Sequence, residues 1–211
     1  MLWRFSSLTR RPPGFIEPCL PTVADTVPSG PQWAYEIKHD GFRFICHRDR
    51  NHLRVYSRHG HDWTERVPAI ARALAMLPVA SVTIDGEGVA CGPDGVTDFE
   101  RMRAAVDGRG TRDVFLYAFD LLRLDGIDLR RELWSDRRLK LARILRGAGH
   151  GIELSDYIEG DGEVAFRQAC MMGLEGIVAK RWDRPYRSGR SPDWIKIKNP
   201  AAPVAKRLIE G

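Results

Sequence analysis

The sequence predicts an α+β fold built from two antiparallel-rich β-sheets with flanking helices. Three observations lead there. Short aromatic and β-branched runs read as strands, apolar spacing turns helical only between some of them, and the strict β-α alternation of a doubly wound sheet is missing. At 211 residues and 43% hydrophobic content the chain suits one domain with a sizeable core.

Residues 1–31 are proline-rich with little periodicity and read as an extended arm ahead of a domain at 32–211. "WAYEI", "FRFICHR" and "LRVYS" then look like consecutive antiparallel strands, separated by "KHDG" and "DRNH". "RVPAIARALAML" is helical, with Val67, Ile70, Leu74 and Leu77 on one face. "SVTIDGEGVA" is a longer strand, and "DFERMRAAV" a helix capped by Thr97 or Asp98. "DVFLYAFDLL", the most apolar run, is expected at the centre of a sheet. "RRELWSDRRLKLARILRGAG" is a helix ending in glycine, whose Arg137, Arg138, Lys140, Arg143 and Arg146 read as a solvated basic face. A further helix, "DGEVAFRQACMMG", precedes the last strands, "EGIVAKR" and "DWIKIK".

The formal charge of +5 comes from 33 basic residues interleaved with 28 acidic ones, which favours a polyanionic partner such as nucleic acid. Cys19, Cys46, Cys91 and Cys170 are scattered without metal-ligand spacing, so reduced thiols in a cytoplasmic monomer are expected. No apolar run approaches the ~18 residues of a membrane span.

Four apolar strands carry charges where a core strand should not: Lys38 and Asp40, Asp85 and Glu87, Glu175 and Lys180, Lys196 and Lys198. Burying a lone charge is costly, so such strand ends are expected to open onto a cleft. Gly41 suits a tight turn with backbone close to a ligand.

In order along the chain, "EIKHDGFR", "SRHG", "DGEGV", "YAFDLL", "EGIVAKR" and "DWIKIK" resemble the motif series of ATP-dependent DNA ligases, which share a superfamily with RNA ligases and mRNA capping enzymes. The resemblance covers residues 33 to 200. It implies the ligase nucleotidyltransferase fold, ATP-grasp-like in arrangement. It also implies that Lys38 attacks the α-phosphate of ATP, releases pyrophosphate, carries AMP as a phosphoramidate and passes it to the 5′-phosphate of nicked duplex DNA. A free lysine with pKa near 10.4 is only ~0.1% neutral at pH 7, so nearby cations and a divalent metal are expected to favour the reactive amine.

The same resemblance gives Glu36 the role of accepting from the adenine amino group and Phe119 that of stacking on the base. Ile37 is counted among the nucleotide contacts and Glu87 is the ribose ligand. Arg43 and Arg58 meet sugar or phosphates, Lys196 and Lys198 meet the α-phosphate, and Glu175 holds Mg²⁺ or Mn²⁺. The 13 residues after Lys198 are too few for the OB-fold domain that follows in full ligases. Either the chain is an excised or naturally minimal catalytic domain, or a separate OB-fold or repair protein supplies the missing part, and self-adenylation by this chain alone is expected to be slow. Two alternatives stand beside this reading: a non-catalytic or partner-dependent nucleotide-binding module of the same fold, and an RNA ligase.

Overall fold

The computed structural model describes residues 11–110 and 113–202. In chain order they form β1 (Cys19–Val23), β2 (Trp33–Ile37), β3 (Phe42–Asp49), β4 (His52–Ser57), α1 (Pro68–Met76), β5 (Ser81–Ala90), α2 (Phe99–Val106) and β6 (Val114–Leu124). There follow β7 (Ile127–Asp128), α3 (Trp134–Leu145), β8 (Ile152–Leu154), β9 (Tyr157–Ile158), α4 (Gly162–Met171), β10 (Gly176–Arg181) and β11 (Gly189–Lys198). One sheet has the order β1-β11-β10-β2-β9, the other β4-β3-β5-β6-β7 with β8 alongside β6. Pairing is antiparallel except for β1 with β11 and β6 with β8.

The two-sheet α+β architecture is as the sequence predicts, with three differences. First, β2 does not pair with β3; they belong to different sheets, and "KHDG" is the crossing between them rather than a hairpin loop. Second, the expected N-terminal arm contains β1, an edge strand whose Cys19 is buried; residues 1–10 of that arm lie outside the described residues. Third, the basic face of α3 is solvated only in part: Arg143 and Arg146 are exposed and Lys140 is half-buried, but two of its arginines are not at the surface. Arg137 and Arg138 are 0% and 5% exposed and turn into the protein, because the carboxylates of Asp120 and Glu36 lie there to meet them.

Side-chain alternation along the strands divides the core into layers. On β3, Phe42, Phe44 and Cys46 join the layer under α1, α2 and α3, where Ile70, Leu74, Met102 and Leu141 are buried. Ile45 points the other way, into a layer between the sheets that also holds Ala34, Phe119, Leu122 and Trp194. On the far side of the first sheet, α4 packs Ala165 and Ala169 against Tyr35, Ile177 and Ala179. Asp98 caps α2 by accepting from the Arg101 N–H, and Asp161 caps α4 by accepting from Glu163 and Val164.

The β5–β6 ladder is interrupted in a way that matters for the site. Asp85 pairs with Asp120 and Gly86 with Ala118, leaving Phe119 as an extra residue on β6. Such a bulge re-aims the extra side chain, and here the ring enters the space between the sheets.

Candidate active site

A cleft of about 450 Å³ opens between the sheets, within the range of ~300–1,000 Å³ usual for small-molecule sites. Its walls include Glu36, Ile37, Lys38, Arg43, Arg58, Glu87, Phe119 and Lys196, eight of the ten residues the motif series singles out. Glu175 reaches the cleft through Lys38, whose Nζ donates to Glu175 Oε2. Lys198 shares a strand face with Lys196 but is exposed and is not among the cleft-lining residues, because β11 runs out of the cleft at its end.

Lys38 owes its position to the crossing. Its N–H donates to the Gly176 carbonyl at 2.9 Å, so the nucleophile candidate leaves one sheet on a fixed backbone. Across the turn, the Asp40 N–H donates to Thr97 Oγ1 at 3.3 Å. Gly41 is needed for packing rather than for an unusual turn conformation. A Cβ at that position would overlap the Gly88 carbonyl oxygen of β5, and only glycine lets the two backbones come so close.

His39, for which the sequence suggests no role, also lines the cleft. Its ring stacks on Tyr117, with centroids 3.9 Å apart and planes 13° from parallel. Burial, then the charges of Lys180 and Lys38, push its pKa down to about 4. The residue beside the candidate nucleophile is therefore a neutral, clamped ring at neutral pH.

Glu36 is 2% exposed, and its Oε2 accepts from Lys180 Nζ at 2.6 Å. Its Oε1 lies 3.8 Å from Arg138 Nη1 and accepts no hydrogen bond among the described residues. Burial raises its pKa, opposed by Lys180 and Arg138. Burial likewise lowers that of Lys180, opposed by Glu36. An acceptor with unused capacity, buried at a cleft wall, suits the exocyclic amine of adenine, so this part of the site fits ATP.

Phe119 lies beside it, with Lys180 Nζ 4.1 Å and the Arg43 guanidinium carbon 4.3 Å from its ring centroid. Both distances are within cation–π reach, so the ring already has cationic neighbours in the cleft. Arg43 is not the free phosphate-seeking cation the motif reading expects. Its Nε and Nη2 donate to Asp85 at 2.5 and 2.8 Å, and Nη2 also donates to the Cys19 carbonyl. Asp85 accepts a third bond, from Tyr186 Oη at 2.5 Å. Burial works against the Arg43 charge, but Asp85 leaves its pKa raised. Arg58, by contrast, sits exposed on the turn after β4, at the cleft mouth.

Among the described residues no group of three or more His, Cys, Asp or Glu side chains is arranged to hold a metal. Glu175 is a single carboxylate. That suits a Mg²⁺-type ion, which keeps its waters and takes most other ligands from substrate phosphates.

The family model for the ATP-dependent DNA ligase domain matches residues 19–198. The chain belongs to the ATP-dependent DNA ligase family. The multifunctional non-homologous end joining protein LigD of Pseudomonas aeruginosa is 38% identical over 188 residues, covering 88% of this chain and 22% of that protein. The LigD of Mycolicibacterium smegmatis is 40% identical over 168 residues, covering 79% of this chain and 21% of that protein. The chain thus spans about a fifth of the length of these curated relatives. A solved mycobacterial DNA ligase D complexed with ATP and MES superposes with a TM-score of 0.73 at 36% identity, over 86% of this chain and 59% of that one.

Within this ligase-family cleft, sequence reading gave Lys180 and Asp85 no role, although both stand out as charges on apolar strands. Tyr186 and Trp194 carry no such signal. They enter the site only because β11 and the segment before it fold against β6.

Proposed function

We propose that the chain is the nucleotidyltransferase domain of an ATP-dependent DNA ligase, taking ATP as substrate and passing its adenylyl group through Lys38 to the 5′-phosphate of nicked duplex DNA. The observation that carries this reading is that one cleft collects the turn amine of Lys38, the unused acceptor of Glu36, the Phe119 ring, and the cations Lys196 and Arg58. The ATP complex of the mycobacterial relative and the end-joining names of the LigD relatives support ATP and duplex DNA as substrates, and nothing favours the non-catalytic or RNA-directed alternatives.

In the first step the Lys38 Nζ lone pair forms a bond to the α-phosphorus. The bond from phosphorus to the pyrophosphate oxygen breaks, and the amine loses a proton. In the second, an oxygen of the 5′-phosphate attacks the same phosphorus and the N–P bond breaks, returning the lysine. Glu36 would accept from the purine amine and Phe119 would pack on the base. Ile37 would line the nucleotide site and Glu87 would hold the ribose. Lys196, with Lys198 beyond it, would draw the phosphate charge along β11, and Arg58 would meet incoming phosphates at the mouth. Arg43, held by Asp85, would brace the floor under the base. A divalent cation held by Glu175 would neutralise charge on the departing pyrophosphate.

Incubation with ATP and Mg²⁺ followed by intact-mass measurement should show one covalent adenylyl group. Lys38→Ala should abolish it in a protein that keeps its circular dichroism spectrum, and so should Lys38→Arg, since guanidinium stays protonated. Labelling that survives Lys38→Ala would move the nucleophile elsewhere. An unlabelled but ATP-binding wild type would favour the non-catalytic alternative.

A further inference from the structure

At the cleft wall, on the lining residue Glu36, and just behind it, four polar side chains keep unused hydrogen-bonding capacity in a buried setting. They are Glu36 Oε1, Arg138 Nε and Nη1, Ser155 Oγ and Trp134 Nε1. They are neighbours: Arg138 Nη2 donates to the Ser155 carbonyl, and its guanidinium carbon lies 5.8 Å from the Trp134 ring centroid and 5.1 Å from that of Tyr157. Arg138 thus reaches Glu36 Oε1 from α3, while Lys180 from β10 holds Oε2.

We infer that Arg138 is a positioning residue for base choice. With Lys180 it keeps Glu36 a bare carboxylate, so the pocket accepts a purine with an exocyclic amine at this edge and rejects one with a keto oxygen. The inference rests on the reading that Glu36 faces the base.

The chemistry follows from what a carboxylic group can do in each charge state. An ionised carboxylate only accepts, which suits an amino group and repels a carbonyl oxygen; once protonated it can donate to that oxygen. Without cationic partners a buried carboxyl favours the neutral form. The groups bearing on Glu36 are Lys180 from β10 and Arg138 from α3, which oppose protonation, and Asp120 from β6, which promotes it. Tyr157, its register partner on β9, has its own pKa raised by burial and stays neutral. Burial already places the Glu36 pKa above the usual carboxylate value, so acidification protonates it earlier than a surface glutamate. Losing Arg138 moves that point higher still.

The test compares covalent labelling by ATP and by inosine triphosphate, which replaces the amino group with a keto oxygen. Single-turnover rates are read from about pH 8 to about pH 5.5. Taking the ratio of the two substrates cancels the titration of Lys38 itself. The wild type should prefer ATP and lose that preference on acidification. Arg138→Met should lower the ATP-to-inosine ratio on the order of tenfold and begin its decline at higher pH, while Arg138→Lys keeps most of it. A folded Arg138→Met that slows both substrates by one factor at every pH would overturn the inference. If that variant does not fold, Arg138→Gln takes its place, and an ATP-to-inosine ratio equal to the wild type's at every pH overturns the inference equally. Should the wild type take no label, the catalytic reading fails separately, and the same comparison runs on calorimetric affinities, where equal binding of the two nucleotides refutes the role of Arg138.

Discussion

Replacing Arg137 with methionine tests whether the charged face of α3 is structural. Arg137 and Asp120 are both 0% exposed, joined by Nε to Oδ1 at 2.7 Å and Nη2 to Oδ2 at 2.8 Å. Arg137 Nη1 also donates to the Glu132 carbonyl at 2.6 Å. Arg137→Met would leave Asp120 charged and buried with its main partner gone, a loss of about 3–5 kcal/mol. For a chain of this length that is on the order of 10 °C in Tm. Replacing both partners, as Asp120→Leu with Arg137→Met, should recover much of the loss, because no uncompensated charge remains. Lys140→Ala on the same helix is the control. Its pair with Glu132 is about one-third exposed on each side, so solvent screening limits the cost to ~0–1 kcal/mol. Urea denaturation of the four proteins measures all of this. An Arg137→Met variant within about 0.5 kcal/mol of wild type would return this residue to the solvated surface and refute the buried-pair reasoning.

Three further outcomes are expected. Phe119→Leu, which keeps apolar volume but removes the ring, should weaken ATP binding by about 1 kcal/mol, roughly fivefold, in a titration calorimeter; unchanged affinity would leave Phe119 a packing residue. His39 has its pKa lowered to about 4, below an unfolded value near 6.5, so the unfolded chain binds the extra proton between these values. Stability should be full above about pH 6.5 and decline as the pH falls towards 4, and His39→Phe should flatten that slope in urea melts. Gly41→Ala should force β3 away from Gly88, lowering both Tm and the adenylation rate; a variant with wild-type values for both would show that the two backbones can separate at no cost.

Sequence by itself determined the longer strands and helices and pointed to the residues of the site. "SVTIDGEGVA" is β5 residue for residue, and Asp98 caps α2 as its position before an amphipathic run requires. The ordered motifs named eight residues that do line one cleft, since short strands set side chains on alternate faces and the charges on apolar strands had to find a polar opening.

Tertiary structure alone decided which charges are free and which are spent. Arg43 and Arg58 look alike in sequence, yet Arg43 is locked to Asp85, which Tyr186 also holds, while Arg58 stands in solvent. Arg137 and Arg138 lie on a helix whose composition reads as a surface, but Asp120 and Glu36 come from strands far away in the chain, and only folding brings them into contact. The same holds for Phe119, which enters the cleft because a bulge shifts its register by one residue, and for Gly41, whose constraint is a carbonyl on another strand. Local propensity is written along the chain. Long-range ion pairs, bulges and backbone contacts depend on which distant residues arrive opposite one another, and nothing local encodes that.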